Sequence, residues 1–352
     1  MKDANWELLL SYALLQIKEH LLFSHFLKFL SRLYPLTKLF PVQSKKLNVK
    51  VISVGNIVCG GTGKTPFVEY LVNLLKGKVQ GLGLVTSGYG GSKRIGIFTD
   101  GRRRYFSWKE GGDETELLAK KVKGVPIGFG KNRLAVIELL ENLFDTKIII
   151  LDDGFQYRGI EKDMEILLID ARKPFGDGYF IPYGYLRDSW RSIKRADLVV
   201  ITKFDSLSID RETIAFLKKK FPHIPFLWSY HSPQCLWKGK EKIDLSFLYD
   251  REIISLCAIG DPEYFEETLE RLGAKIEKRL RFPDHYPFHE KEIETLLKNT
   301  VKKKIIITTE KDYLKIPESI KKSFPIYFLE VKMKFYEGEE KLWEKLKEKG
   351  IC

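Results

Sequence analysis

The feature that most constrains this chain is a strand that runs into a glycine loop, which in turn opens a helix. Val49 to Val54 reads Val-Lys-Val-Ile-Ser-Val, the pattern of a buried strand. Gly60-Gly61-Thr62-Gly63-Lys64-Thr65 follows, and Thr65 to Leu75 is helical in pattern, with Pro66 in the first turn. Proline is tolerated there because that N–H has no helical partner to lose. In this order the loop lies at the carboxyl end of a covered strand, where α/β sheets place their ligands. The glycines let backbone N–H groups turn inward around phosphate oxygens, and the helix N-terminus adds its positive end. Lys64 is placed to reach β- and γ-phosphates and Thr65 to ligate Mg²⁺. The implied ligand is a nucleoside triphosphate with Mg²⁺. One departure stands out: Val58 occupies the position, six residues before the lysine, where the usual pattern has glycine.

The rest of the chain supplies a sheet for this loop. Gly81 to Thr86, Lys147 to Leu151, Glu165 to Ile169 and Asp197 to Thr202 read as strands; Glu114 to Lys121 and Arg133 to Asn142 read as helices. Strands alternating with helices predict a parallel sheet covered on both faces. The Lys147–Asp153 stretch ends in Asp152-Asp153, so carboxylates emerge at the carboxyl end of a strand, and one of them is placed to hold the Mg²⁺ shell. Strands are harder to assign between about 205 and 250. Beyond, Glu252 to Ile259, Lys304 to Thr308 and Pro325 to Leu329 are strand-like, with helical patterns between them. The expected organisation is an N-terminal segment over 1–42, a P-loop α/β domain over 43–215 and a smaller α/β domain over 216–352.

Residues 6 to 34 are crowded with Trp, Leu, Phe, Tyr and Ile, with Trp6, Leu10, Leu14, Ile17, Leu21 and Phe29 at roughly helical spacing. The longest uncharged run, Leu8 to Ile17, has ten residues, and a span needs about twenty. Two amphipathic helices lying in a membrane interface fit this better than a crossing, with a core-packing helix as the alternative. The 60 Lys and Arg exceed the 47 Asp and Glu by 13. That excess draws the chain to anions, and charge alone does not choose among nucleic acid, an acidic membrane and a phosphorylated substrate; with the motifs below the last two are expected and nucleic acid is not. Cys59, Cys235, Cys257 and Cys352 lie far apart, which suggests neither zinc nor a disulfide framework.

Three shorter motifs are ambiguous alone. Gly111-Gly112-Asp113-Glu114 precedes a helix, so Asp113 could be an N-cap. Phe282-Pro283-Asp284-His285 carries a lone histidine. Thr202-Lys203-Phe204-Asp205 imitates a guanine-reading element and raises a rival, a P-loop GTPase or metallochaperone. A membrane-recruited ATP-dependent switch protein is the other alternative.

In order along the chain, the motifs resemble the tetraacyldisaccharide 4'-kinase family of lipid A biosynthesis. The landmarks are Val54-Gly55-Asn56, Gly60 to Pro66, Gly88-Tyr89-Gly90-Gly91, Gly112-Asp113-Glu114, Arg133, Asp152 to Gln156, Phe175-Gly176, Pro182 with Gly184, Leu186-Arg187, Ile259-Gly260 and Phe282 to His285. The resemblance implies transfer of the ATP γ-phosphoryl group to the 4'-hydroxyl of a lipid A disaccharide 1-phosphate, giving lipid IVA, with ATP and Mg²⁺ as cofactors. It implies that Asp113 and His285 handle the proton, and that Lys64, Asp152 and Asp153 lie at the γ-phosphate and metal. Asn56, Tyr89, Arg133, Gln156 and Arg187 are the implied substrate or phosphate contacts. A peripheral place on the cytoplasmic face of the bacterial inner membrane is also implied, and a monomer is favoured. The chain departs from the family pattern at Ser87, Thr115, Tyr157, Asp177 and Asp188.

Overall fold

The computed structural model describes residues 21–38, 42–300 and 304–352. Trp6, Leu10, Leu14 and Ile17 lie outside the described residues. Among the described residues thirteen strands form one sheet: β1 (Lys50–Asn56), β2 (Leu82–Thr86), β3 (Ile95–Thr99), β4 (Ile127–Gly130), β5 (Ile148–Asp152), β6 (Met164–Asp170), β7 (Leu198–Thr202), β8 (Phe226–Lys238), β9 (Glu241–Ile243), β10 (Glu252–Cys257), β11 (Lys275–Arg281), β12 (Ile305–Thr309) and β13 (Ile326–Glu337). The order is β11-β10-β12-β13-β8-β7-β6-β1-β5-β2-β4-β3, with β9 paired to β8. Pairing is parallel except for β3 with β4, β8 with β13 and β8 with β9.

The apolar runs are continuous because both faces of the central strands are covered. Ile52, Val54, Ile148 and Ile150 pack under the helix Lys64–Leu75 through Phe67, Val68 and Leu71. Their alternates Val51, Ile149 and Leu151 pack on Val136, Ile137 and Leu140 of the helix Arg133–Phe144. In the C-terminal part Ile254 and Leu256 face one cluster while Ile253 and Cys257 face another.

The stretch between 205 and 250, which has no clean strand pattern, holds the helix Arg211–Lys220 and the 13-residue β8. β8 pairs in parallel with β7 through Phe226–Trp228, then runs antiparallel to β13 from Trp228 to Trp237. Its polar residues and Pro233 mask the period. Pro233 stands opposite Val331, next to a register shift, where the lost N–H costs no ladder bond. The same sheet therefore continues across residue 216.

At the N-terminus the helix Leu21–Leu33 leads into a short 3₁₀ turn, Tyr34–Lys38. Leu27 and Ser31 are buried, whereas Phe26, Phe29, Leu33 and Leu36 are exposed. Among the described residues no helix is long and apolar enough to cross a membrane.

Candidate active site

β1 delivers its end into the glycine loop, and Asn56 shapes that loop. Asn56 is fully buried; its Nδ2 donates to Val58 O at 2.6 Å and Thr62 Oγ1 at 2.7 Å. Gly60 and Gly63 have φ of 94° and 81°, conformations that a Cβ would strain. Val58, in place of the usual glycine, packs its side chain with Phe155 and Leu186, so the loop is anchored by an apolar contact there. Below Gly63 lies His231 of β8. Its Nε2 is 2.7 Å from where a Gly63 Cβ would sit, and burial, with Lys203 nearby, pushes its pKa down to about 4.

The carboxylates reach the loop by register. Asp152 is the partner of Val54 across the β5–β1 ladder. Asp153 follows with φ 53°. It accepts two hydrogen bonds from Arg187, at 2.7 and 2.8 Å, and Lys64 Nζ lies 3.6 Å away. Burial raises the Asp153 pKa, but Lys64, Arg187 and Arg133 outweigh it and the net shift is downward. Asp152 goes the other way: burial, then Glu114 and Asp153, push its pKa up to about 7. Its Oδ1 is buried without a hydrogen-bond partner. An orphaned carboxylate oxygen next to a second carboxylate fits Mg²⁺, a hard ion that takes few protein oxygens and completes its shell with phosphate and water.

Asp113 and His285, 172 residues apart, are in contact. His285 Nδ1 is 3.0 Å from both Asp113 oxygens. Asp113 is the first residue of the helix Asp113–Lys121, after Gly112 at the N-cap, so it does not act as the cap itself. Burial raises its pKa, and Lys311, His285 and Lys315 bring the net shift downward. His285 has φ 64°, and its ring lies 4.8 Å from the Tyr89 ring.

Residues 21–350 match the family model described as Tetraacyldisaccharide-1-P 4'-kinase. The chain belongs to this family. A tetraacyldisaccharide 4'-kinase of Syntrophus aciditrophicus (strain SB) is 35% identical over 307 residues, covering 83% of this chain and 82% of the relative. One from Geobacter metallireducens is 35% identical over 276 residues, covering 77% and 80%. The solved "apo" form LpxK from Aquifex aeolicus in complex with ATP superposes with a TM-score of 0.68 at 31% identity, covering 97% of this chain and 99% of that one. The chain is thus a kinase of parallel-dominated α/β fold that uses ATP with Mg²⁺.

The remaining expected residues of the kinase divide by exposure. Tyr89 is 45% exposed. Arg133 is buried and donates to Thr86 O at 3.0 Å and to Gly130 O. Gln156 Nε2 donates to Asn56 O at 2.7 Å, and Arg187 also donates to Asn56 Oδ1. Asn56 and Gln156 therefore brace the loop, whereas Arg187 faces Asp153. The guanine-reading element is spent on structure. Asp205 accepts from Tyr264 Oη at 2.6 Å and Arg271 at 2.6 Å, and buried Lys203 joins Asp170 to Asp261. Neither side chain is left to read a base, so the GTPase rival loses its motivating motif. Lys311 and Lys315, outside every motif singled out in the sequence, also reach the site, 3.8 and 3.6 Å from Asp113 Oδ2. Their signal was Thr308-Thr309-Glu310-Lys311-Asp312, placed like the other site motifs at the carboxyl end of a strand.

Proposed function

We propose that this kinase transfers the γ-phosphoryl group of ATP to the 4'-hydroxyl of a tetraacyldisaccharide 1-phosphate, a step of lipid A biosynthesis. The observation that carries the reading is the meeting of Asp113 and His285; Glu114, the residue after Asp113, is among the charges that push up the pKa of Asp152. Phosphoryl transfer needs charge neutralisation, positioning and a route for the hydroxyl proton. Lys64, Arg133 and Arg187 supply positive charge, Gly60 to Thr65 hold the phosphates, and Asp113 with His285 takes the proton. Tyr89, its ring tilted against that of His285 and half exposed, is a contact for the sugar. Asp152, Asp153 and Thr65 would hold Mg²⁺, which when bound neutralises phosphate charge.

The acyl chains and the membrane meet the exposed side chains of Phe26, Phe29, Leu33 and Leu36. This segment packs beside a second aromatic stretch: the Tyr34 and Phe180 rings are 6.0 Å apart, and Lys28 Nζ lies 4.9 Å from the Tyr179 ring. Aromatic rings with an adjacent lysine suit a headgroup boundary. The kinase is a peripheral protein of the cytoplasmic face of the inner membrane and acts as a monomer. The test is incubation with ATP-Mg²⁺ and a tetraacyldisaccharide 1-phosphate, followed by mass analysis. One added phosphate on the lipid is expected; ATP turnover with an unchanged lipid mass would overturn the reading.

A further inference from the structure

Beside the Asp113–His285 pair stands a lysine with no part in the scheme above. Lys311 is in the first turn of the helix Glu310–Lys315. Its ammonium lies 3.3 Å from His285 Nε2, 3.3 Å from Asp284 Oδ1, 3.4 Å from Glu114 Oε1 and 3.8 Å from Asp113 Oδ2. Its side chain is 14% exposed. Burying an ammonium costs several kcal/mol unless carboxylates surround it, and here three do. A second ionic contact delivers the helix. Glu310 lies 2.7 Å from Lys121, at the far end of the helix Asp113–Lys121, and Lys121 also lies 2.9 Å from Glu69. Two consecutive residues, Glu310 and Lys311, thus grip both ends of the helix that begins with Asp113.

Donor chemistry then sets the proton on His285. An ionised carboxylate only accepts and an ammonium only donates. The hydrogen therefore sits on Nδ1, facing Asp113, and Nε2 turns its lone pair to Lys311. A second ring proton would point an N–H at an ammonium. We propose that Lys311 is a positioning residue for phosphoryl transfer: it fixes the tautomer of His285 and opposes its protonation, so that the Asp113–His285 pair stays able to take the acceptor's proton. This rests on the reading of Asp113 and His285 as the proton-handling pair. The groups facing the ring are Asp113 from the helix Asp113–Lys121, Tyr89 from the loop after β2, Asp284 from its own loop and Lys311 from the helix Glu310–Lys315, with Glu114 on the far side of Lys311. Lys315 and Asp312 stand behind Asp113. Burial and Lys311 push the His285 pKa down, while Asp113 and Asp284 push it up and prevail. Removing the ammonium leaves those carboxylates unopposed, so the ring protonates at higher pH.

The test uses the full chain with ATP-Mg²⁺ and a tetraacyldisaccharide 1-phosphate in detergent. Lys311→Gln keeps a donor and removes the charge, and Lys311→Arg keeps both. Turnover is measured against pH, and the His285 ring is titrated by NMR. In Lys311→Gln the ring titration and the acid limb of the turnover profile are expected to rise together by about one pH unit. Lys311→Arg should stay within about 0.3 unit of the native limb. An unshifted ring with turnover scaled equally at every pH overturns the proposal. So does a rise of about one unit from the native limb in the arginine variant, which keeps the test decisive if the glutamine variant folds poorly. A shifted ring with an unshifted limb overturns the proton-handling role of the pair, and the role of Lys311 falls with it.

Discussion

Asp153 can be buried beside Asp152 because Arg187 meets it with two N–H groups and Lys64 stands 3.6 Å away. The same lysine is the one proposed to meet the transferring phosphoryl group. Lys64→Ala is expected to cut turnover by at least about a hundredfold while the fold survives, since lost transition-state charge weighs on rate rather than on packing. Turnover and melting temperature of the variant decide it; a folded variant turning over normally removes Lys64 from the chemistry. The pair Asp113–His285 yields a second expectation. Each alanine variant should lose about 10²–10⁴-fold in turnover, the contribution of a general base. The double variant should be little worse than the worse single, because groups acting as one unit are non-additive. Fully additive losses, or a drop in melting temperature with turnover intact, would show that the contact is structural. Lys64 and Asp153 were legible in the sequence because a strand on one side, and for the lysine a helix on the other, announce them. Asp113 and His285 came from the family resemblance. Lys311 was not legible, because a lysine near the end of a strand looks the same whether it meets solvent or a buried imidazole.

Elements show a similar division. β1, β2, β5, β6 and β7 were readable because burial on both faces makes each a short apolar run. β8 and β11 were not: β8 is only partly buried over Trp228–Gln234, and β11 (Lys-Ile-Glu-Lys-Arg-Leu-Arg) is mostly exposed at the sheet edge. Charged side chains there guard an edge strand rather than mark a loop. β13 was readable only at its start; it runs on to Glu337 because its second half pairs with β8 instead of a core strand. The N-terminal helix is legible as amphipathic, and amphipathicity alone leaves membrane and core equally served. Exposure of Phe26, Phe29, Leu33 and Leu36 favours the membrane. Deleting residues 1–34 is therefore expected to lower recovery with vesicles or micelles severalfold at unchanged melting temperature. Equal partitioning of the truncated and full chains would return the segment to the core.

Across the whole molecule, the two halves of the sheet meet at the phosphate loop, and glycine lets them do so. A Cβ on Gly260 would lie 2.5 Å from Gly61 N and 2.8 Å from Gly60 Cα, both backbone atoms that cannot rotate away. The neighbouring Asp261 is clamped by Lys203 and by Arg172 at 3.1 Å, so the Gly260 loop cannot swing outward without breaking a buried ion cluster. Below the same loop β8 brings His231 against Gly63. The glycine loop proposed to hold the phosphates is thus set from both sides by the C-terminal half. Gly260→Val tests whether this contact belongs to the working enzyme. Its backbone strains little, since Gly260 is not among the positive-φ glycines, and no core side chain is lost. Relieving the clash means moving backbone, so the melting temperature should fall by several degrees, as about 1–3 kcal/mol of overpacking would give in a chain this size. The ATP KM should rise and turnover fall by about tenfold or more, because an ångström-scale displacement of a positioned phosphate is felt strongly in rate. Lys64 and Asp153 would remain in place, so any loss reports on the approach of the halves rather than on missing charge. If Gly260→Val turned over as fast as the native chain at the same ATP concentration, the halves would have to part at this loop during catalysis, and the site would be assembled by the Asp113–His285 contact alone.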